Sequence, residues 1–320
     1  MASTITIEPV TRIEGHAKVT IHLDDAGKVT EARMHVNEFR GFEKFCEGRM
    51  FFEMPQITQR ICGICPISHH LASAKACDAI VGQELPRPAR LIRELMHMGQ
   101  FIQSHALHLF HLASPDLLLG FDADPTIRNV TGVIQANPEL ALKGIGLRKF
   151  GQEVIRKIGG KRIHPYDAAT PNSVNKGLDP ADRDELRSQI DGVVDGMRMA
   201  VAVIKGYAEA NAEQMESFAA FPSGYAGLVG DRGQLELYDG RIRMVDSKLR
   251  PWEPDYDPAN YLNYIAEKTV PWSYLKFPFY RKLGFPTGAY RVGPLARLNL
   301  CSDVSTPLAR EEWQQFKALG

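Results

Sequence analysis

The sequence predicts a mainly α-helical (α+β) fold with a small antiparallel sheet at the N-terminus and a peripheral β-hairpin. Three observations lead there. Long helical runs cover residues 88–112, 138–158 and 180–207, with apolar side chains recurring at steps of three and four in the first and last. Short, partly alternating segments rich in Val, Ile and Thr fill the first 40 residues. Asp239-Gly240, between Leu235 to Tyr238 and Arg241 to Val245, has the form of a hairpin turn.

Bulk properties bound the rest. With 320 residues and 44% hydrophobic content the chain can bury a large core. It reads as one 1–320 domain: a sheet over 1–40, a helical core over 41–220, then hairpin, aromatic loops and a terminal helix over 221–320. Lys+Arg and Asp+Glu both total 38, so no global field selects nucleic acid or an anionic membrane. No run of about 18 apolar residues occurs, which predicts no bilayer span. The N-terminus lacks a basic and then apolar leader, and five cysteines in no regular framework suit a reducing compartment, so the expected location is cytoplasmic.

In chain order, residues 4–10, 16–23 and 29–37 are the expected strands, with Asp24-Asp25-Ala26-Gly27 as a turn. Cys62-Gly63-Ile64-Cys65 follows, with Gly63 freeing the backbone and Pro66 opening a helix that Gly82 stops. Two thiolates at CxxC spacing suit a redox pair, half of a zinc site, or two ligands of a larger metal cluster. A place near a helix N-terminus should favour the Cys65 thiolate. Cys77, within that helix, reads as a small core residue.

The 88–112 helix presents Leu91, Leu95, Met98, Ile102, Leu109 and Leu112, and should end near Ser114-Pro115, leaving Asp116 in the next turn. His97, His105, His108 and His111 do not share one direction and read as core or interface residues. Pro138 opens the next helix, Gly159-Gly160 closes it, and 161–178 reads as loop. Asp179 caps the longest helix, whose seam includes Leu186, Val193, Met197 and Ala200, with Gly192 and Gly196 allowing close approach. Trp252, Tyr256, Tyr264, Trp272 and Tyr280 belong to loops expected to pack onto the helical body, and 307–318 is a last helix.

Longer patterns narrow the reading. Arg40-Gly41-Phe42-Glu43 precedes Gln59-Arg60-Ile61-Cys62-Gly63-Ile64-Cys65, then His69, and Thr11-Arg12-Ile13-Glu14-Gly15-His16 lies upstream. Together they resemble the large subunit of nickel-iron hydrogenases. Ser104-His105-Ala106-Leu107, Ser114 to Gly120 and Phe150-Gly151-Gln152-Glu153 resemble its cytoplasmic, bidirectional, NAD-coupled branch. The resemblance implies heterolytic cleavage of hydrogen at a nickel-iron centre held by four thiolates, the iron carrying diatomic ligands. Cys62 would be a terminal nickel ligand and Cys65 a bridging one. His69 would hydrogen-bond a bridging sulfur, Glu14 would pass the proton outward, Glu43 would bind a magnesium ion, and Asp116 would orient an arginine.

The family's other two cysteines form a second CxxC near its C-terminus, which these 320 residues do not contain, so the sequence reads as the N-terminal two-thirds of such a subunit. The arginine that should pair with Asp116 is not identifiable. No GxGxxG follows an expected strand, so NAD, FMN and iron-sulfur clusters should sit on partners: NAD/flavin-binding diaphorase subunits and an iron-sulfur small subunit, with maturation proteins installing the metals. The iron-sulfur partner should cover a large apolar face around the CxxC turn at 62–65 and the turn at 11–16. Two alternatives stand beside this: a zinc-binding helical protein using Cys62, Cys65, His69 and Cys77, and the related core subunit of NADH:quinone oxidoreductase, which lacks the cysteines.

Overall fold

The structure is a computed structural model that describes residues 3–38, 40–166 and 168–319. The chain forms two compact units, one of residues 41–218 and one joining 1–40 to 219–320.

The N-terminal strands are β1 (Ser3–Ile7), β2 (Ala17–Leu23) and β3 (Val29–Val36), an antiparallel sheet in that order. Asp24 makes the β2–β3 turn by accepting the Ala26 and Lys28 amides on its carboxylate, both at 2.9 Å.

The helical unit contains α1 (Phe42–Cys46), α2 (Met54–Thr58), α3 (Pro66–Val81), α4 (Arg87–Leu107), α5 (Ser114–Leu119), α6 (Val130–Ala136) and α7 (Pro138–Gly159). After a two-residue ladder of β4 (Ala169–Thr170) and β5 (Ser173–Val174) come α8 (Pro180–Ser188), α9 (Ile190–Ala210) and α10 (Ala212–Ser217). Gly82 and Gly160 end α3 and α7 in the left-handed conformation, as the sequence indicates.

Four expectations in this unit are corrected. The 88–112 helix does not stop at Ser114-Pro115: it widens into a π-helical stretch, His108–Ala113, and runs on as α5, so Asp116 lies in a helical first turn. Pro115 would collide with the carbonyl four residues back in a regular α-turn, and the wider turn relieves this while the Ser114 hydroxyl donates to the Phe110 carbonyl at 2.7 Å. The buried face of α4 is also not the leucine seam: Leu91 and Leu112 are exposed, whereas Ala89, Arg93, Met96, Gly99, Gln100, Gln103 and Ala106 are buried. At the crossing with α7 the backbones come so close that an added Cβ on Gly151 would lie 2.5 Å from the Gly99 carbonyl oxygen, and hydrophobic periodicity does not register small residues.

Residues 161–178 are not wholly loop, because Arg93 donates to the Thr170 and Ser173 carbonyls and folds 169–174 into the β4–β5 ladder. The longest helix breaks at Gln189 although Asp179 caps it as expected. Its halves dock differently: Asp182 and Glu185 of α8 take the buried Lys157 ammonium, while Val193, Met197 and Val203 of α9 pack with Leu147 and Phe110. Gly196 abuts Leu147, but Gly192 meets nothing within 4 Å.

Beyond residue 218 the strands are β6 (Gly224–Val229), β7 (Arg241–Val245), β8 (Ile265–Val270), β9 (Ser273–Tyr280) and β10 (Tyr290–Arg291), followed by α11 (Pro294–Leu300) and α12 (Pro307–Ala318). The hairpin at Asp239-Gly240 is a misreading. β7 pairs with β6, β10 lies parallel on β6's other side, and Leu235 makes a single bridge to Val229. β6 is Gly-Tyr-Ala-Gly-Leu-Val, weak in strand propensity, yet its small residues admit neighbours: Gly224 makes room for Trp252 and Gly227 for Leu300. The true hairpin is β8–β9. Trp252 stacks on Tyr280 at 4.9 Å and Tyr256 on Tyr264 at 3.9 Å, and with Ala226 and Met244 they build the core of this sheet rather than fastening loops to helices. His35 donates from Nδ1 to the Trp272 carbonyl at 2.9 Å, and the Val36 amide donates to the Ser273 hydroxyl at 3.1 Å, so the β8–β9 turn covers the edge of β3.

Candidate metal centre

The CxxC turn wraps the start of α3. Cys62 is extended (φ −141°, ψ 136°), Cys65 occupies the N-cap and Pro66 the first helical position, where a missing N–H costs nothing. The Ile64 and Cys65 amides both donate to Cys62 Sγ, at 3.4 Å each. His69, one helical turn after Cys65, projects on the same side. The Cys62 and Cys65 sulfurs and a His69 ring nitrogen lie within 4.8 Å of one another, and among the described residues no other three His, Cys, Asp or Glu side chains converge so closely.

Neighbouring elements hold this turn in place. The Ile64 carbonyl accepts from Gln103 Nε2 at 2.9 Å and from Gln100 Nε2 at 3.2 Å. The Cys62 carbonyl accepts from His164 Nε2 at 3.1 Å. His70, fully buried, donates from Nδ1 to the Pro55 carbonyl and accepts the Ala169 amide on Nε2, both at 2.8 Å. Gln59 donates to the Pro165 carbonyl at 3.1 Å. Asp78 pairs with the fully buried Arg93 at 2.5 Å and accepts the Asn172 amide, which fixes the segment carrying His164 and Pro165.

Electrostatics correct one expectation. Burial pushes the Cys65 thiol up to about 12, and the hydrogen bond and charge of Cys62 add to this, so the helix N-terminus does not make it a thiolate by itself. A cation arriving between the sulfurs must displace that proton. Burial also lowers the proton affinity of His69, leaving a neutral imidazole with a lone pair to offer.

Of the other candidate residues in the helical unit, Glu43 and Asp116 are not part of this cluster. Glu14 is exposed in the β1–β2 connection, whose next residues are pinned by Glu38, which accepts from the His16 amide at 2.7 Å and from its Nδ1 at 2.8 Å. Glu43 is exposed on α1. Asp116 faces Arg128 Nε at 3.6 Å, a partner that no sequence period pointed to. Cys77 donates to the Phe51 carbonyl at 3.1 Å, so the zinc reading lacks its fourth ligand. His105 hydrogen-bonds its own helix through the Phe101 carbonyl. The sequence reading missed Arg93, Gln100 and Gln103, although polar side chains recurring beside Met96, Gly99 and Ala106 on one helix face were a usable signal.

Residues 4–39 match a family model described as HoxL-like, and residues 40–126 match the model of the nickel-dependent hydrogenases. One subunit of the F420-non-reducing hydrogenase vhu of Methanocaldococcus jannaschii is 47% identical over 312 residues, 98% of this chain and 74% of that protein. The chain belongs to the nickel-dependent hydrogenase family. This hydrogenase chain is also 42% identical over 330 residues to the NAD-reducing hydrogenase HoxS subunit beta of Cupriavidus necator, covering 99% of the chain and 67% of that subunit. It superposes on a solved NAD+-reducing NiFe hydrogenase in the H2-reduced state with a TM-score of 0.94 at 47% identity, over 98% of the chain and 70% of that one. The Ni-Fe-Se hydrogenase of D. vulgaris Hildenborough, at 24% identity and a TM-score of 0.75, shares the fold. The mainly α large-subunit fold and a nickel-iron hydrogenase type of enzyme are thereby shown, and neither alternative reading is favoured. The donors fit: two soft sulfurs and an imidazole suit nickel.

Proposed function

We propose that this chain is the active-site subunit of a reversible nickel-iron hydrogenase, coupled to NAD(H) through partner subunits in the cytoplasm. The convergence of Cys62, Cys65 and His69 on one buttressed turn carries the reading. A nickel-iron centre, when bound, supplies the Lewis acidity that polarises hydrogen for heterolytic cleavage. Cys62 and Cys65 would hold the centre, and His69 would hydrogen-bond the Cys65 sulfur. Glu14 would pass the proton outward, Glu43 would bind magnesium, and Asp116 would orient an arginine. An iron-sulfur small subunit would take up the electrons, diaphorase subunits would hold FMN and NAD, and maturation proteins would install the metals. The segment leading into the metal turn exposes Phe45, Met50, Phe52 and Ile61, an apolar surface that supports such a partner. In the described residues no helix is long and apolar enough to cross a membrane.

A second reading changes only the electron acceptor, and the 47% identity to a chain of an F420-non-reducing hydrogenase favours it. One experiment on the assembled enzyme separates these. Hydrogen-dependent formation of NADH supports NAD coupling, dye reduction without NADH rejects it, and neither activity with nickel and iron bound overturns the hydrogenase reading. In the same enzyme Glu14→Gln keeps the shape of the side chain but removes its titratable proton. Nickel, iron and ortho–para hydrogen conversion should persist while turnover and isotope exchange with water fall roughly 10²–10⁴-fold. Wild-type values for both would remove Glu14 from the mechanism.

A further inference from the structure

Three backbone and side-chain features at the metal turn exceed what simple folding asks. The Ile64 carbonyl takes two amide donors, Gln100 and Gln103, which are 3% and 5% exposed and stand three residues apart on α4. One donor would satisfy a buried carbonyl, whereas two fill both lone pairs and fix its direction. Their helix cannot shift, because at the α4–α7 crossing an added Cβ on Gly151 would lie 2.6 Å from the Gln103 amide nitrogen. At the first residue of the turn His164 holds the Cys62 carbonyl from a left-handed backbone position, φ 49°, that a side-chain-bearing residue adopts only when its surroundings impose it.

We propose that Gln103 and Gln100, together with His164, are positioning residues that preset the spacing of the Cys62 and Cys65 sulfurs for the metal. The proposal rests on the metal-centre reading above. Both glutamines are neutral, so the turn is held without adding charge beside the sulfurs. Holding both outer carbonyls leaves the turn no freedom to open when the thiol protons depart.

Cobalt(II) titration of the reduced 320-residue chain tests this, read by thiolate-to-cobalt absorption and independent of hydrogenase activity. The wild-type chain should give the band, and Cys62→Ser should lose half or more of it. Gln103→Met matches the shape but has no N–H donor; it should weaken cobalt binding about 10–100-fold and shift the band, with Gln100→Met less affected. Circular dichroism and thermal melting in the metal-free state report whether each variant is folded. Should Gln103→Met not fold, Gln100→Met decides, since its Oε1 has no hydrogen-bond partner among the described residues and methionine removes that orphaned acceptor. Folded variants that lose stability yet bind cobalt with wild-type affinity and spectrum would reduce the glutamines to carbonyl satisfaction and overturn the proposal. A wild-type chain without the thiolate band would overturn the metal-centre reading itself, and the proposal with it.

Discussion

His111 shows how a single residue ties the fold to pH. Within the π-helical stretch its imidazole is partly buried, and burial first, then the Arg148 charge, holds its proton affinity below the ordinary value. The unfolded chain therefore takes up a proton first as pH falls through about 6.5, while the folded chain resists until lower pH. Stability contributed by this residue is fully present above the unfolded value and is lost as pH falls from there through the folded one. Urea unfolding of wild type and His111→Gln over about pH 8 to 5 should give curves that are parallel at the alkaline end, with a smaller acid loss in the variant. Equal acid losses would assign the titration to other groups.

At the scale of elements, two glycines of α7 should respond oppositely to alanine. Gly146 meets nothing within 4 Å, so Gly146→Ala should stabilise by up to about 1 kcal/mol through helix propensity. Gly151→Ala puts a methyl into the Gly99 carbonyl and the Gln103 amide, backbone atoms that cannot turn aside, and should cost about 1–2 kcal/mol after that gain. Chemical denaturation measures both. The same contrast explains what the sequence displayed and what it hid. Caps and stops wrote themselves plainly, from Asp179 to Gly82 and Gly160, because each is a local backbone demand. The cysteine pair was legible from its CxxC spacing and His69 from the motif that follows it, and the structure brings the three onto one turn. The glycine-rich β6, the α4–α7 crossing and the Arg93–Asp78 clamp were hidden, since each depends on a partner far along the chain that leaves no local period.

Over the whole molecule, cysteine geometry limits what this chain holds unaided. Cys46, Cys77 and Cys301 are free thiols outside the cluster, so Cys62 and Cys65 are the two sulfurs the described residues bring together. The purified 320-residue chain should therefore carry no stable nickel-iron pair and take up no hydrogen. Stoichiometric nickel and iron, with infrared bands from iron-bound diatomics, would contradict this.

The cover over β3 sets a timetable for synthesis. Trp272 and Ser273 emerge from the ribosome 237 residues after the His35 and Val36 they join, with all of the helical unit translated in between. At about 5–20 residues per second the open strand edge waits roughly 12–50 s for its partner. A bare edge is a template for other chains, so the nascent polypeptide is most vulnerable to aggregation in that interval. Its yield in cells should then depend on chaperone supply more than the stability of the finished fold suggests.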